Sequence, residues 1–156
     1  MGSGSSHGAR DLNKNGRLDP YEDSSRPIEE RVEDLLSQMT LAEKAGMMFH
    51  GMVAMDVGNM VIPGLPTASQ HIADRAMTAF NILGSATARE MADWTNQIQA
   101  EAEQTRLGIP VTFSTDPRHA FSNNPLTALS TSAFSQWPEP IGLAATRDAA
   151  IVEQFG

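Results

Sequence analysis

The stretch Thr87–Asp116, TAREMADWTNQIQAEAEQTRLGIPVTFSTD, contains one complete passage from a helix into a strand. It opens on a capping box, in which the Thr87 hydroxyl and the Glu90 carboxylate each bind the other's exposed backbone amide. The helix that starts there carries an apolar face at helical spacing, formed by Met91, Trp94, Ile98 and Ala102. These signals predict a long helix that packs one face against a core.

The helix is expected to stop at Leu107-Gly-Ile-Pro, with Gly108 in the left-handed conformation and a proline that cannot continue the helix. Residues 111–115 then read as a strand that ends at Asp116. A shorter apolar run at 79–83, closed by Gly84-Ser85, reads as the preceding strand. The order strand, helix, strand predicts a βαβ unit and therefore a parallel sheet.

The rest of the chain is patterned less regularly. A helix is expected after Pro27, a second one after the capping box Thr40–Glu43, and a third from about residues 146–148. Residues 49–72 contain several Gly and Pro and predict a loop with short extended pieces. Another loop is expected at 122–138 and an extended piece at 141–143.

A parallel sheet needs cover on both faces, and two or three strands do not provide it. A complete (β/α)8 barrel takes about 250 residues, whereas this chain has 156. We therefore predict an α/β fold that is the N-terminal portion of a TIM-like (β/α)8 barrel, incomplete in this chain. The alternative is a non-functional remnant of a gene, marginally folded and with exposed sheet edges.

Composition excludes several classes of function. The net charge is −8, and the 11 Lys and Arg residues form no cluster, so nucleic acid is not expected as a partner. Cysteine is absent, which excludes a disulfide framework, a thiol nucleophile and a Cys-ligated metal. No apolar run approaches the roughly 18 residues of a membrane span. Residues 1–10 read as a leader or cloning scar without signal-peptide features, and the compartment stays open.

Residues 11–25 hold an EF-hand-like calcium loop and a linker. Gly16 stands at the sixth loop position, where the sharp turn requires glycine. We predict a structural calcium ion that ties the N-terminus to the following domain; the alternative is an acidic linker without an ion. The expected ligands occupy loop positions 1, 3, 5, 7, 9 and 12: Asp11, Asn13, Asn15, Arg17 through its carbonyl, Asp19 and Glu22.

Three motifs, in order over residues 26–156, resemble the glycoside hydrolase family 3 enzymes of the β-glucosidase type. The first is RVEDLLSQMTLAEKAGMM from Arg31, which is similar to the N-terminal helix pair of that family. The second is LGIPVTFSTD from Leu107, whose last residue matches a sugar-binding Asp. The third is WPEPIGLAATRD from Trp137.

The resemblance implies an exo-acting, retaining glycosidase that hydrolyses terminal β-D-glucosyl residues of a β-glucoside or oligosaccharide, without a cofactor for catalysis. Such chemistry needs a nucleophilic carboxylate and an acid carboxyl. Both lie downstream in the family, so we expect no catalytic residue here and an inactive fragment. The resemblance also implies that residues 26–156 are the truncated start of the barrel domain.

Asp116 and His119 are the expected substrate-binding residues. From the residues alone, the pattern favours an Asp that begins a turn before Pro117. The resemblance instead assigns Asp116 to the hydroxyls of the non-reducing sugar. His119 fits a supporting role in shaping the pocket, while Trp137 reads as packing more readily than as a sugar platform. A different class of function remains open, namely a stand-alone calcium-binding interaction module. The full-length parent is compatible with a periplasmic or secreted location.

Overall fold

The computed structural model describes residues 10–55, 63–116, 129–130 and 135–156. After a 3-10 turn at Pro20–Glu22, two helices precede a stretch in which strands and helices alternate from β1 to β3. Their order is α1 (Ile28–Gln38), α2 (Leu41–Met47), β1 (His50–Ala54), α3 (Ala68–Arg75), β2 (Ala79–Ser85), α4 (Ala88–Glu103), β3 (Thr112–Ser114), β4 (Leu129–Ser130), α5 (Pro140–Ala145) and α6 (Ala149–Phe155).

The strands form a parallel sheet in which β2 lies between β1 and β3. Asn81 of β2 is the register partner of both Met52 in β1 and Ser114 in β3. The short strand β4 pairs in parallel with the last two residues of β2. The predicted βαβ unit and the α/β class are confirmed, and the small parallel sheet is compatible with part of a barrel.

Helix α4 begins at the predicted capping box: the Thr87 hydroxyl accepts from the Glu90 amide at 3.2 Å, and the Glu90 carboxylate accepts from the Thr87 amide at 2.8 Å. Its apolar face packs on the sheet, with the Trp94 ring 5.6 Å from that of Phe113. The core beneath it includes the fully buried Phe80. Local capping and helical periodicity thus place the main crossover where the sequence predicts it.

The two N-terminal helices also form as expected. Thr40 and Glu43 make the second capping box, with the Thr40 amide donating to the carboxylate at 2.8 Å. The apolar stripe of α1 stays largely exposed, because the Ile28 side chain is 70% accessible and that of Val32 48%. Only Met39, at the end of this stripe, is buried.

Several expectations about secondary structure were wrong. Residues 129–130, expected to lie in a loop at 122–138, form β4. Helix α3 occupies residues that were expected to be loop, and it starts at a Thr67–Gln70 capping box that the surrounding prolines and glycines obscure. Residues 141–143 are helical in α5, not extended. Pro140 stands at the first turn of that helix, where its fixed φ and missing amide favour helix initiation.

The end of α4 also differs from the prediction. The helix ends at Glu103, so Gly108 does not cap it. Gly108 does have a positive φ of 58°, but it lies in the turn that leads into β3. A Cβ atom there would come within 2.9 Å of the Leu12 side chain, so glycine is required by both its φ and the close approach of the N-terminal loop.

In the part of the chain that the structure describes, no helix is long and apolar enough to cross a membrane.

Replacing Phe80 by alanine removes the largest fully buried side chain. We expect Phe80→Ala to lower the free energy of unfolding by about 3–5 kcal/mol, because it loses apolar burial and leaves a cavity. Urea denaturation measures the change. The matched control is Phe49→Ala, since Phe49 is 65% exposed and its loss should cost about 0.5 kcal/mol or less. Equal losses in the two variants would contradict the assigned core.

An ion pair joins the end of α4 to the start of α2. The Arg106 guanidinium donates to the Glu43 carboxylate at 3.0 and 2.5 Å and to the Gln38 carbonyl at 2.9 Å. The hydrogen bond from Arg106 lowers the pKa of Glu43 to about 2. A carboxyl with a lowered folded-state pKa stabilises the fold above its unfolded pKa of 4.5 and loses that contribution as the pH falls towards 2.

We therefore expect Glu43→Gln to lose roughly 1 kcal/mol of unfolding free energy at neutral pH, a value reduced for solvent screening. The difference from the unsubstituted chain should shrink as the pH falls from about 4.5 to about 2. Urea denaturation across this range measures it. Glu33→Gln, on the exposed face of α1, serves as the control and should show no such trend. A difference that stays constant with pH would contradict the role of the pair.

Candidate functional site

The two faces of the sheet differ in chemistry. Side chains alternate between faces along a strand, and Val53, Phe80 and Ile82 belong to the buried cluster that includes residues of α3 and α4. The opposite face includes Met52, which is 55% accessible, and the exposed His50. This second face is therefore open to solvent at these positions.

A chain of hydrogen bonds runs across the open face. The His50 Nε2 atom lies 2.8 Å from the Ser114 Oγ atom. The Ser114 hydroxyl donates to Asn81 Oδ1 at 3.2 Å, and Asn81 Nδ2 donates to Asp116 Oδ2 at 3.2 Å. Residues of β1, β2 and β3 are thus joined in one chain of hydrogen bonds, which reaches the Asp116 carboxylate through Asn81.

Asp116 lies two residues beyond the carboxyl end of β3, and its side chain is exposed. In α/β folds with parallel strands, the carboxyl ends of the strands form the edge at which ligands bind. An ionised carboxylate at this edge can accept hydrogen bonds from two hydroxyls. The structure therefore confirms that Asp116 lies at the end of a strand.

His119 and Trp137 are the other residues that were considered for the sugar site. His119 lies outside the described residues, as does Arg118. Trp137 is half-buried, and its ring centroid lies 5.3 Å from that of Phe155 at the end of α6. This contact agrees with the packing interpretation of Trp137.

Sequence reasoning missed His50, Asn81 and Ser114. A signal was present in the alternation of the strands, because Asn81 interrupts the apolar run 79–83 and Ser114 follows the core residue Phe113. The run was interpreted simply as a short apolar strand, which hid the polar position. Which polar positions face each other depends on the register between strands, and local patterns do not specify it.

The loop 11–22 folds around its own side chains. The Asp11 carboxylate accepts from the backbone amides of Asn15 at 3.0 Å and Gly16 at 2.8 Å. Lys14 and Gly16 have positive φ angles of 60° and 79°. Glycine adopts a positive φ without steric cost. Gly16 therefore suits the sharp turn at which the sequence predicts it.

Three of the predicted ligand side chains converge at one point. The carboxamide groups of Asn13 and Asn15 both donate to Asp19 Oδ2, at 2.6 and 2.7 Å. The hydrogen bond from Asn13 is the main cause that lowers the pKa of Asp19. These are the third, fifth and ninth positions of the EF-hand pattern, which surround a single ion in such loops.

Glu22 closes the loop from its other end. Its Oε1 atom accepts from the amides of Leu12 at 2.6 Å and Asn13 at 3.2 Å, and its Oε2 atom accepts from the Asp19 amide at 2.9 Å. No group of three or more His, Asp and Glu side chains within residues 10–55, 63–116 and 135–156 is arranged to hold a metal ion. EF-hand loops also use Asn and backbone oxygens, so the calcium site stays a prediction that depends on the shape of the loop.

The same loop is attached to the connection between α4 and β3. Lys14 Nζ donates to the carbonyls of Glu103 at 2.8 Å and Thr105 at 3.1 Å, at the end of the helix where a cation is favourable. The Tyr21 hydroxyl donates to the Leu107 carbonyl at 3.1 Å. Burial raises the pKa of Tyr21. The loop therefore joins the N-terminus to the segment that leads into β3 and Asp116.

Curated proteins similar to this chain are glycosidases. A "Periplasmic beta-glucosidase/beta-xylosidase" of Dickeya chrysanthemi is 46% identical over 151 residues, which are 94% of this chain and 23% of that protein. "Probable beta-glucosidase C" of Aspergillus oryzae is 48% identical over 139 residues, or 86% of this chain and 22% of that protein. "Beta-glucosidase C" of Emericella nidulans is 44% identical over 146 residues, which are 93% of this chain and 24% of that protein.

The resemblance to a β-glucosidase is confirmed. The relatives match nearly the whole chain, which is consistent with an N-terminal fragment of a family 3 β-glucosidase. The chain spans less than a quarter of the length of these relatives. No protein-family model matches the chain.

Proposed function

We propose that this chain is the N-terminal portion of an exo-acting, retaining β-glucosidase, and that Asp116 binds the hydroxyls of the terminal β-D-glucosyl residue. The observation that carries the proposal is the exposed Asp116 carboxylate at the carboxyl end of β3, in a chain that is 44–48% identical to three β-glucosidase-type relatives. The parallel sheet would be the opening of a (β/α)8 barrel whose later strands complete the site.

In this proposal the chain binds and orients the sugar and does not perform the bond cleavage. Asp116 accepts hydrogen bonds from two neighbouring hydroxyls of the non-reducing sugar, which fixes the ring relative to the reacting bond. His119 supports the same pocket. The nucleophile and the acid of a retaining glycosidase are two carboxyl groups, and both would come from the sequence that follows the equivalent of this segment in the relatives.

A structural calcium ion in the loop 11–22 is the second part of the proposal. The support is the convergence of the Asn13, Asn15 and Asp19 side chains and the turn at Gly16. Calcium is bound by oxygen, so the two carboxamides, whose NH2 groups donate to Asp19, would turn their oxygens towards the ion. The ion would hold the loop in the shape that places Lys14 and Tyr21 against the end of α4. It would take no part in the chemistry.

A stand-alone calcium-binding interaction module is the alternative function. It predicts that the loop is free to contact a partner and that calcium controls this binding. The contacts of Lys14 and Tyr21 with the α4–β3 connection favour the structural role instead, because they use the loop inside the molecule. A periplasmic or secreted location is proposed by analogy with the Dickeya relative, whose name includes that compartment.

The sugar-binding role is testable in a chimera in which this chain replaces the segment of the Dickeya enzyme that it matches. We expect the chain alone to release no nitrophenol from an aryl β-glucoside and the chimera to do so. Asp116→Ala should lower kcat/KM of the chimera roughly 10²–10⁴-fold, because two hydrogen bonds to a charged group are lost. Asp93→Ala, on the exposed side of α4, is the matched control. An unchanged kcat/KM in Asp116→Ala would refute the role.

The calcium site is testable by thermal unfolding of the chain. Calcium should raise the midpoint temperature, with a free-energy gain of about 2.7 kcal/mol when its concentration is 100 times the dissociation constant. Glu22→Gln should abolish the rise because it removes the ligand at the twelfth position. Asp23→Asn, one residue outside the loop pattern, should retain it. Absence of any calcium-dependent shift, or an equal shift in Glu22→Gln, would count against the site.

A further inference from the structure

We propose that His50, Asn81 and Ser114 are positioning residues that hold the Asp116 carboxylate in place for sugar binding. They do so through the hydrogen-bonded chain across the open face of the sheet. The inference rests on the proposed sugar-binding role of Asp116 and adds to it the residues that prepare this carboxylate before the sugar arrives.

The register of the sheet brings these residues together. Asn81 and Ser114 are direct partners on neighbouring strands, so their side chains stand next to each other on one face. His50 is on the far strand, about 9–10 Å from β3, because neighbouring strands lie about 4.8 Å apart. Its register partner on the intervening strand is Ala79, whose small side chain leaves space for the imidazole to reach Ser114.

The hydrogen bonds have one consistent direction. The single proton of the Ser114 hydroxyl is donated to Asn81 Oδ1, so the hydroxyl oxygen accepts from His50. The His50 ring therefore carries a proton on Nε2. With its oxygen fixed by Ser114, the Asn81 carboxamide must turn its NH2 group towards Asp116. Each link thus determines the orientation of the next.

The hydrogen-bonded chain limits the rotamer freedom of the Asp116 side chain before a sugar binds. Asp116 is exposed, and an exposed side chain loses rotamer entropy when a ligand immobilises it. The bond from Asn81 occupies one acceptor site on Oδ2 and leaves other lone pairs of the carboxylate for hydroxyls. Pre-orientation therefore strengthens sugar binding without adding a contact to the sugar.

The polar side chains of His50, Asn81 and Ser114 distinguish positioning from simple packing. The interior of a (β/α)8 barrel is filled mainly by bulky branched side chains in layers. Here the corresponding face holds an imidazole, a carboxamide and a hydroxyl joined in sequence. Apolar side chains would fill the same space, but they would not orient a carboxylate.

The chain of bonds is testable in this polypeptide by NMR of the histidine ring nitrogens at about pH 8, where an ordinary imidazole is neutral. We expect His50 to be in the Nε2–H form. Ser114→Ala should shift the Nε2 resonance and raise the fraction of the other tautomer, whereas Ser114→Thr, which keeps the hydroxyl, should restore the original state. An Nδ1–H ring in the unsubstituted chain, or a ring that does not respond to Ser114→Ala, would overturn the network.

The functional effect is testable in the chimera with the Dickeya enzyme. Asn81→Ala should raise KM for an aryl β-glucoside roughly 10- to 100-fold with little change in kcat, because it weakens binding equally in the ground state and the transition state. In the Asp116→Ala background it should have no further effect, since the residue it positions is absent. Asn96→Ala, the same substitution on the exposed face of α4, is the control.

The outcomes separate this inference from the proposed function. If Asp116→Ala leaves KM and kcat unchanged, the sugar-binding role itself fails. If Asp116→Ala impairs the chimera but Asn81→Ala does not, only the positioning role is overturned. Additive effects of Asn81→Ala and Asp116→Ala would also overturn it, because they would show that Asn81 acts independently of Asp116.

Discussion

Parallel pairing of β2 and β3 is the constraint on which the rest of the structure depends. Two parallel neighbours need a crossover, and α4 supplies it by packing Trp94 and Ile98 over the sheet. The tilted contact between Trp94 and Phe113 fixes the helix above the strand that follows it. Because this packing buries one face of the sheet, the alternate residues of each strand must point to the other face.

The open face is consequently where chemistry can be placed without disturbing the core. Asn81 stands between the core residues Phe80 and Ile82 in sequence but points away from them. The same alternation separates Ser114 from Phe113. A strand can therefore stabilise the core with one set of side chains and present polar groups with the other. In this sheet Asn81 and Ser114 occupy the open face, opposite the core side chains of the same strands.

The N-terminal loop contacts the connection between α4 and β3. Lys14 and Tyr21 donate to carbonyls of residues 103–107, and Gly108 allows the loop to approach closely. The loop and the sheet are thus parts of one structural unit, although they are distant in sequence.

The sequence by itself determined the capped helices, the βαβ order and the place of Asp116 at the end of a strand. These features depend on interactions within about four residues, such as the Thr87–Glu90 box, or on a regular apolar period. The resemblance to β-glucosidases was also readable from motifs. Helix α3 was missed because its local cap at Thr67 was outweighed by the prolines and glycines before it.

Only the tertiary structure decided which residues meet Asp116 and what the loop 11–22 touches. His50 and Ser114 are 64 residues apart along the chain, and Asn81 is 33 residues from Ser114 and 35 from Asp116. Their contacts depend on the register that the crossovers impose. The exposure of the α1 apolar stripe likewise depends on what lies beside it in space. Local patterns specify conformation, whereas contacts between distant segments follow from how the chain packs.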